Sequence, residues 1–96
     1  MISMGDVLAA VAAEFAVPVE AIRGRRKTQQ VAWARQAAMW VARRHTAASL
    51  PRIGQLLRRD HSTVLHGVRA TEARIATDPD VAQAMLRVQQ RLGVGP

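Results

Sequence analysis

The stretch Leu50–Arg69, LPRIGQLLRRDHSTVLHGVR, decides how the 96-residue chain is read. Ser49 stands just before it, and a serine hydroxyl is a good acceptor for the unpaired N–H groups of a helix start. Pro51 fits a first helical turn, where its missing N–H would have no partner anyway. A short helix is therefore predicted from Leu50 to about Leu57, with Ile53, Leu56 and Leu57 turned inward. Arg58-Arg59 make a turn. Asp60 then caps a longer helix, its carboxylate accepting from the free N–H groups of Ser62 or Thr63. That helix runs to about Ala76 and buries Val64, Leu65, Val68 and Ile75. Gly54, beside the inward Ile53, permits a close helix crossing. A short helix, a tight turn and a longer helix make a helix-turn-helix; the plainer alternative is an ordinary helical hairpin.

The flanks read as helices too. Ser3-Met4-Gly5-Asp6 has the form of a capping box, and Val7, Leu8, Val11 and Phe15 share one face of a helix from about Met4 to Ala16. Val17-Pro18 stops it, because proline disfavours helical backbone in the residue before it. Val19–Ile22 has room for one short turn. Arg23-Gly24-Arg25-Arg26-Lys27 reads as a loop, with four like charges in five residues. A second helix is expected from about Thr28 to His45, where Val31, Ala34, Ala38, Val41 and Ala42 share one arc. Trp33 and Trp40 fall together away from that arc, as a second buried stripe or as a surface for a partner. Asp78-Pro79-Asp80 starts a last helix that runs to Leu92 and ends at Gly93. The expectation is one all-α domain over residues 1–96, a bundle of about five helices containing the helix-turn-helix.

Composition narrows the function. The chain has 14 basic and 7 acidic residues, a net charge of +7, and no cysteine. Disulfides, Cys-zinc sites and thiol catalysis are excluded. No apolar run approaches the ~20 residues of a membrane span, and no secretory signal is evident, so the default compartment is cytoplasmic, in association with the nucleoid. With only Phe15, Trp33 and Trp40 as aromatics, stacking of successive single-stranded bases is disfavoured. Charge is segregated. Between Ala21 and Arg59 there is no Asp or Glu, yet ten residues are basic, whereas the remainder carries a net charge of −3. A basic middle on a neutral-to-acidic scaffold points to a polyanion; the alternative is a solvated arginine face.

On the longer helix of the pair, Val64 and Val68 anchor from beneath. His61, Ser62, Thr63, His66 and Arg69 are left as short polar or cationic groups able to reach base edges or phosphates in a major groove ~12 Å wide. His61 reaches outward only because it sits in the first turn. Basic flanks at Arg23–Lys27, Arg43-Arg44 and Arg58-Arg59 would hold phosphates.

Arg35-Gln36, then Ser49-Leu50-Pro51-x-Ile53-Gly54, then Arg59-Asp60-His61-Ser62-Thr63-Val64-Leu65-His66, resembles the C-terminal DNA-binding domain (domain IV) of the bacterial replication initiator DnaA. The resemblance runs from about Val7 to Leu92. It implies binding of double-stranded DNA at a short element, the DnaA box, with the helix-turn-helix in the major groove and the basic loop in the adjacent minor groove. It also implies roles residue by residue. Asp60, His61 and Ser62 would read bases in the major groove, and Lys27 would occupy the minor groove in place of the usual arginine. Thr63, His66, Gln36, Arg43 and the backbone at Leu50-Pro51 would contact phosphate. Arg35 matches the second arginine of the family's R-P-R-Q motif and joins the backbone contacts, with Arg25, Arg26, Arg58, Arg59 and Arg69. Ser62 replaces a threonine. Arg58-Arg59 replaces a longer Gly-Gly-Arg, and without glycine a left-handed turn residue is more costly, which implies a changed angle for the recognition helix.

No G-x-x-x-x-G-K-[ST] occurs, and Lys27 is the only lysine, so neither a nucleotide nor any other cofactor is expected. His61 and His66 lie roughly 140° apart around a helix and do not converge on a metal; no catalytic constellation can be argued, and the protein is not expected to be an enzyme. The arginine stretch lacks a free apolar face for a membrane surface. Several roles stay open for a DNA-binding module: a piece of an initiator acting in replication, a small protein competing for initiator-like sites, or a phage or gene-transfer type transcription regulator. Other replication or transcription proteins are candidate further partners. A different class is a protein-interaction module anchored by Trp33 and Trp40. Met1 ahead of a capped helix and a frayed Gly93–Pro96 suit a free-standing chain.

Overall fold

Helix starts in this chain coincide with side chains that can cap them, and the computed structural model, which describes residues 1–95, places six helices accordingly: α1 (Met4–Phe15), α2 (Val19–Arg23), α3 (Gln29–His45), α4 (Leu50–Leu57), α5 (His61–Thr77) and α6 (Pro79–Arg91). Ser3 accepts from the Asp6 N–H while Asp6 accepts from the Ser3 N–H, both at 3.1 Å, completing the expected capping box. Thr28, Ser49, Asp60 and Asp78 cap α3, α4, α5 and α6 by accepting one backbone N–H each, without the return bond. The bundle is all-α, as expected, but it has six helices among the described residues rather than five. The extra element is the short turn expected at Val19–Ile22, which is a five-residue helix begun by Pro18 without a side-chain cap.

Three helices close with one residue in the left-handed region: Ala16 (φ 55°), Arg58 (φ 58°) and Gly93 (φ 72°). In each case the following N–H reaches back to the end of the helix. Val17 donates to Ala12, Arg59 to Gly54 and Val94 to Gln89. These are Schellman closures, which satisfy carbonyls that a helix end would otherwise leave unpaired. Only one of the three uses glycine. At Ala16 and Arg58 the side chain costs about 1 kcal/mol or more, a cost that the surrounding packing offsets. The expected frayed end at Gly93–Pro96 falls partly outside the described residues.

α3 is the central strut and packs against α1, α2, α4 and α5. Its predicted arc of Val31, Ala34, Ala38, Val41 and Ala42 is buried, and Ala37 and Met39 join it. α5 meets α3 along Val64, Gly67, Val68 and Thr71, an i, i+3, i+4, i+7 stripe. Leu65 and Ile75, expected inside, are half-buried instead, as is Leu56 on α4. The inward positions belong to Gly67 and Thr71. Gly67 carries no side chain where a Cβ would run into the Met39 sulfur. The buried Thr71 hydroxyl donates to the Gly67 carbonyl at 2.9 Å, so its burial leaves no polar group unpaired.

The two tryptophans are covered. Trp40 is buried; Trp33 meets Phe15 edge-on at 5.4 Å, and the Arg74 guanidinium lies 4.5 Å over its ring. The reading as a second packed stripe fits both rings: Trp33 is half-buried between Phe15 of α1 and Arg74 of α5, and the Arg44 guanidinium lies 5.5 Å over the buried Trp40. Glu14 ties α1 to α6 through Arg87 and Arg91.

Gly54 is needed at the α4–α5 corner for a reason narrower than a helix crossing. The Schellman bond draws the Arg59 backbone down onto α4, and a Cβ at position 54 would lie far inside contact distance of the Arg59 carbonyl oxygen. Because the obstacle is backbone, the turn itself would have to move. Gly54→Ala is expected to lower stability by about 1–3 kcal/mol, despite the better helix propensity of alanine. A urea midpoint equal to that of the unaltered protein would contradict this account of the corner.

Candidate nucleic-acid interface

α5 begins on the surface. Asp60, His61, Ser62 and Thr63 are all exposed, and so are His66 and Arg69 farther along the helix. Val64, Gly67 and Val68 on the opposite side hold the helix to the bundle. His61, whose helical phase alone would turn it inward, stands outward as the first residue after the cap. The Asp60 Oδ1 accepts from the Thr63 N–H at 2.9 Å. That bond, chiefly, holds the Asp60 carboxyl below its ordinary value of 3.8, with the Ser62 N–H and the neighbouring His61 adding to it. A depressed carboxyl stabilises the fold above its ordinary pKa, and its contribution is lost as pH falls through the lowered value. The cap is therefore intact at neutral pH.

The loop between α2 and α3 exposes Arg25, Arg26 and Lys27. Arg35 determines its path. Far from reaching a phosphate, this arginine is buried at 6% exposure, and it donates to four backbone carbonyls: Ile22 at 2.7 Å, Ala21 at 3.0 Å, Arg26 at 3.0 Å and Gly24 at 3.1 Å. The Nε and Nη2 groups of Arg35, expected on the DNA backbone, are instead engaged on carbonyls inside the protein. Burial, and secondarily the charge of Arg59, lower its pKa from the usual arginine value, but a guanidinium remains charged at any physiological pH.

Arg59 joins this loop to the helix-turn-helix. Its Nη2 donates to the Gly24 carbonyl at 2.8 Å, and its Nη1 to Leu57 and Arg58 at 3.2 and 3.0 Å. Arg23 adds a bond from Nε to the Leu56 carbonyl at 3.1 Å. The structure thus brings the loop carrying Lys27 against the turn that launches α5. Arg58 and Arg43 are exposed, Pro51 is exposed and Leu50 half-buried. Gln36 is half-buried beside Gly67, with its Oε1 buried and unpartnered. Among the described residues, neither ion pair involves a cation of the basic middle, and no group of three His, Asp or Glu side chains is placed to hold a metal.

The carbonyl-binding roles of Arg35, Arg59 and Arg23 escape a reading by charge. For Arg35 a signal existed: it lies roughly 40° from Val31 around α3 at 100° per residue, beside the buried arc. The Arg58-Arg59 turn adopts the left-handed conformation that the missing glycine was expected to make costly, with Arg58 at φ 58°.

Residues 4–70 match the family model described as the bacterial DnaA protein helix-turn-helix. The chain belongs to that family. Similar relatives are each named chromosomal replication initiator protein DnaA: from Deinococcus deserti, 35% identical over 91 residues; from Deinococcus radiodurans, 36% over 91; and from Caulobacter sp. (strain K31), 37% over 92. Each alignment takes in 95% of this chain but only 20%, 20% and 19% of the relative. The chain thus spans about a fifth of the length of these DnaA proteins. The motif that carries the DnaA likeness, Arg59–His66, lies at the turn and exposed tip described above, in a DNA-binding helix-turn-helix. Among the described residues, no helix is long and apolar enough to cross a membrane.

Proposed function

We propose that this domain is a sequence-specific binder of double-stranded DNA that acts in replication initiation or its control. The first turn of α5 enters the major groove, and the Arg25–Lys27 loop enters the adjacent minor groove. The observation that carries the reading is the exposed His61–Thr63 tip held beside a cationic loop by the Arg59–Gly24 bond. His61 and Ser62 offer short donors and acceptors to base edges. The exposed Asp60 carboxylate is an acceptor of the kind that pairs with a cytosine amino group. Lys27 is the minor-groove cation. Thr63, His66, Arg69, Arg25, Arg26, Arg43, Arg58, the half-buried Gln36 and the α4 N-terminus at Leu50-Pro51 take phosphates, which fix register without reading sequence. The reading involves no catalysis, cofactor or nucleotide.

Selection of bound duplexes from a random pool tests this reading. One recurring element, without a palindrome if the domain acts alone, is the expected result, and an unenriched pool would overturn it. On the selected duplex, His61→Ala is expected to narrow the gap between target and scrambled DNA by about 1–3 kcal/mol. The fold is unaffected because the side chain is exposed. An unchanged gap would show that the reading surface lies elsewhere.

A further inference from the structure

The joint between the basic loop and the helix-turn-helix contains no anion. The Gly24 carbonyl accepts from two guanidinium groups, Arg35 Nη2 at 3.1 Å and Arg59 Nη2 at 2.8 Å. Arg35 reaches it from α3 while also holding Ala21, Ile22 and Arg26. Arg59 reaches it from the turn while also binding the last carbonyls of α4. Charged donors on neutral acceptors give short directional bonds without cancelling either charge. A carboxylate at the same place would fix the geometry equally well, but it would neutralise the field that attracts phosphate; the sequence supplies no Asp or Glu between Ala21 and Arg59. A guanidinium is suited to this because its planar fork engages several carbonyls at once, which an ammonium does not.

We propose that Arg59, through the Gly24 carbonyl that it shares with Arg35, is a positioning residue that sets the spacing between the basic loop and the first turn of α5, and thereby sets discrimination between target and other DNA. The inference rests on the DNA-binding reading above. Two readers on separate elements gain affinity together only when one register of the duplex satisfies both. Loosening the joint leaves each contact available but removes the requirement that both be met at once.

The test measures binding of the unaltered protein, Arg59→Lys, Arg59→Met and Arg58→Met to the selected duplex and to a scrambled one, at one salt concentration. Circular dichroism checks that each variant is folded. Arg58→Met removes a neighbouring exposed charge without touching the loop, and should weaken both duplexes by a similar factor. Arg59→Lys keeps the charge and loses the fork. It is expected to compress the target-to-scrambled ratio about tenfold, at the low end of what one good base contact contributes, with little change on scrambled DNA. In the Arg59→Lys background, Lys27→Ala should then lower target affinity by less than about twofold, because coupled sites are not additive. Arg59→Lys with an unchanged ratio, or Arg59→Met indistinguishable from Arg58→Met on both duplexes, would overturn the inference while leaving DNA binding intact. An unaltered protein that does not prefer its selected duplex would overturn the DNA reading itself.

Discussion

Raising monovalent salt from 50 to 200 mM is expected to weaken binding to duplex DNA by about a thousandfold. Six exposed cations stand in or near the proposed interface: Arg25, Arg26, Lys27, Arg43, Arg58 and Arg69. If about six phosphates are neutralised, log K falls with log salt at a slope near −5, and a fourfold rise in salt then costs about three orders of magnitude. The carboxylates of the chain do little to offset this, since both ion pairs among the described residues use Glu14, with Arg87 and Arg91 of α6. A titration of duplex affinity against salt checks the value. A slope near zero would mean that the basic middle is not what docks. Arg35 is left out of the sum because the residue is 6% exposed and its Nε and Nη2 groups lie on carbonyls.

Arg35→Met is expected to lower folding stability by about 2–4 kcal/mol. Methionine preserves much of the volume but none of the donors. Gly24 would keep Arg59 as a donor, and Ala21 would keep the Gly24 N–H at 3.2 Å; the Ile22 and Arg26 carbonyls would lose the partner that Arg35 provides. The Ile22 carbonyl, left buried and unpaired, costs about 1–3 kcal/mol, and the Arg26 carbonyl, nearer to water, costs less. Relief of the desolvation of Arg35 and of its repulsion by Arg59 offsets part of that loss. Against a typical total of about 5–15 kcal/mol the remainder is large, and urea denaturation measures it directly. Arg43→Met, at an exposed site, should change stability by less than about 0.5 kcal/mol. If the two variants unfold alike, the α2–α3 loop holds its own shape and Arg35 is not its anchor.

These effects show where sequence reasoning succeeds and where it stops. Helix starts were legible because each is a local event: Ser3, Ser49, Asp60 and Asp78 act on N–H groups two or three residues away. The α3 arc was legible because alanine and valine repeat at helical spacing. α2 was not legible as a helix, since five residues display no period, and its place is secured by contacts with α1, α3 and α4. Leu65, expected inside, is half-buried while Gly67 lies inward, because hydrophobicity favours leucine for the core, whereas the close approach of α3 and α5 favours a residue with no side chain. Arg35 was the most misleading. Its charge suits a phosphate and its phase suits the core, and the carbonyls that resolve the conflict come from a loop 9 to 14 residues earlier in the chain. For the recognition tip the reading went furthest: the cap at Asp60 and the buried Val64 and Val68 suffice to turn His61–Thr63 outward.

The side chains of the tip take no part in the core. His61, Ser62 and Thr63 lie in the open, while the elements that hold the α4–α5 corner in shape are the bare Cα of Gly54, the left-handed Arg58 and the arginine fork above Gly24. On the proposed reading, preference for one DNA word over another would drift through exchange of the solvent-facing His61 and Ser62 at little cost to the fold, whereas Gly54 beneath them has no room for a side chain. Text and typeface are kept on separate parts of the same small machine.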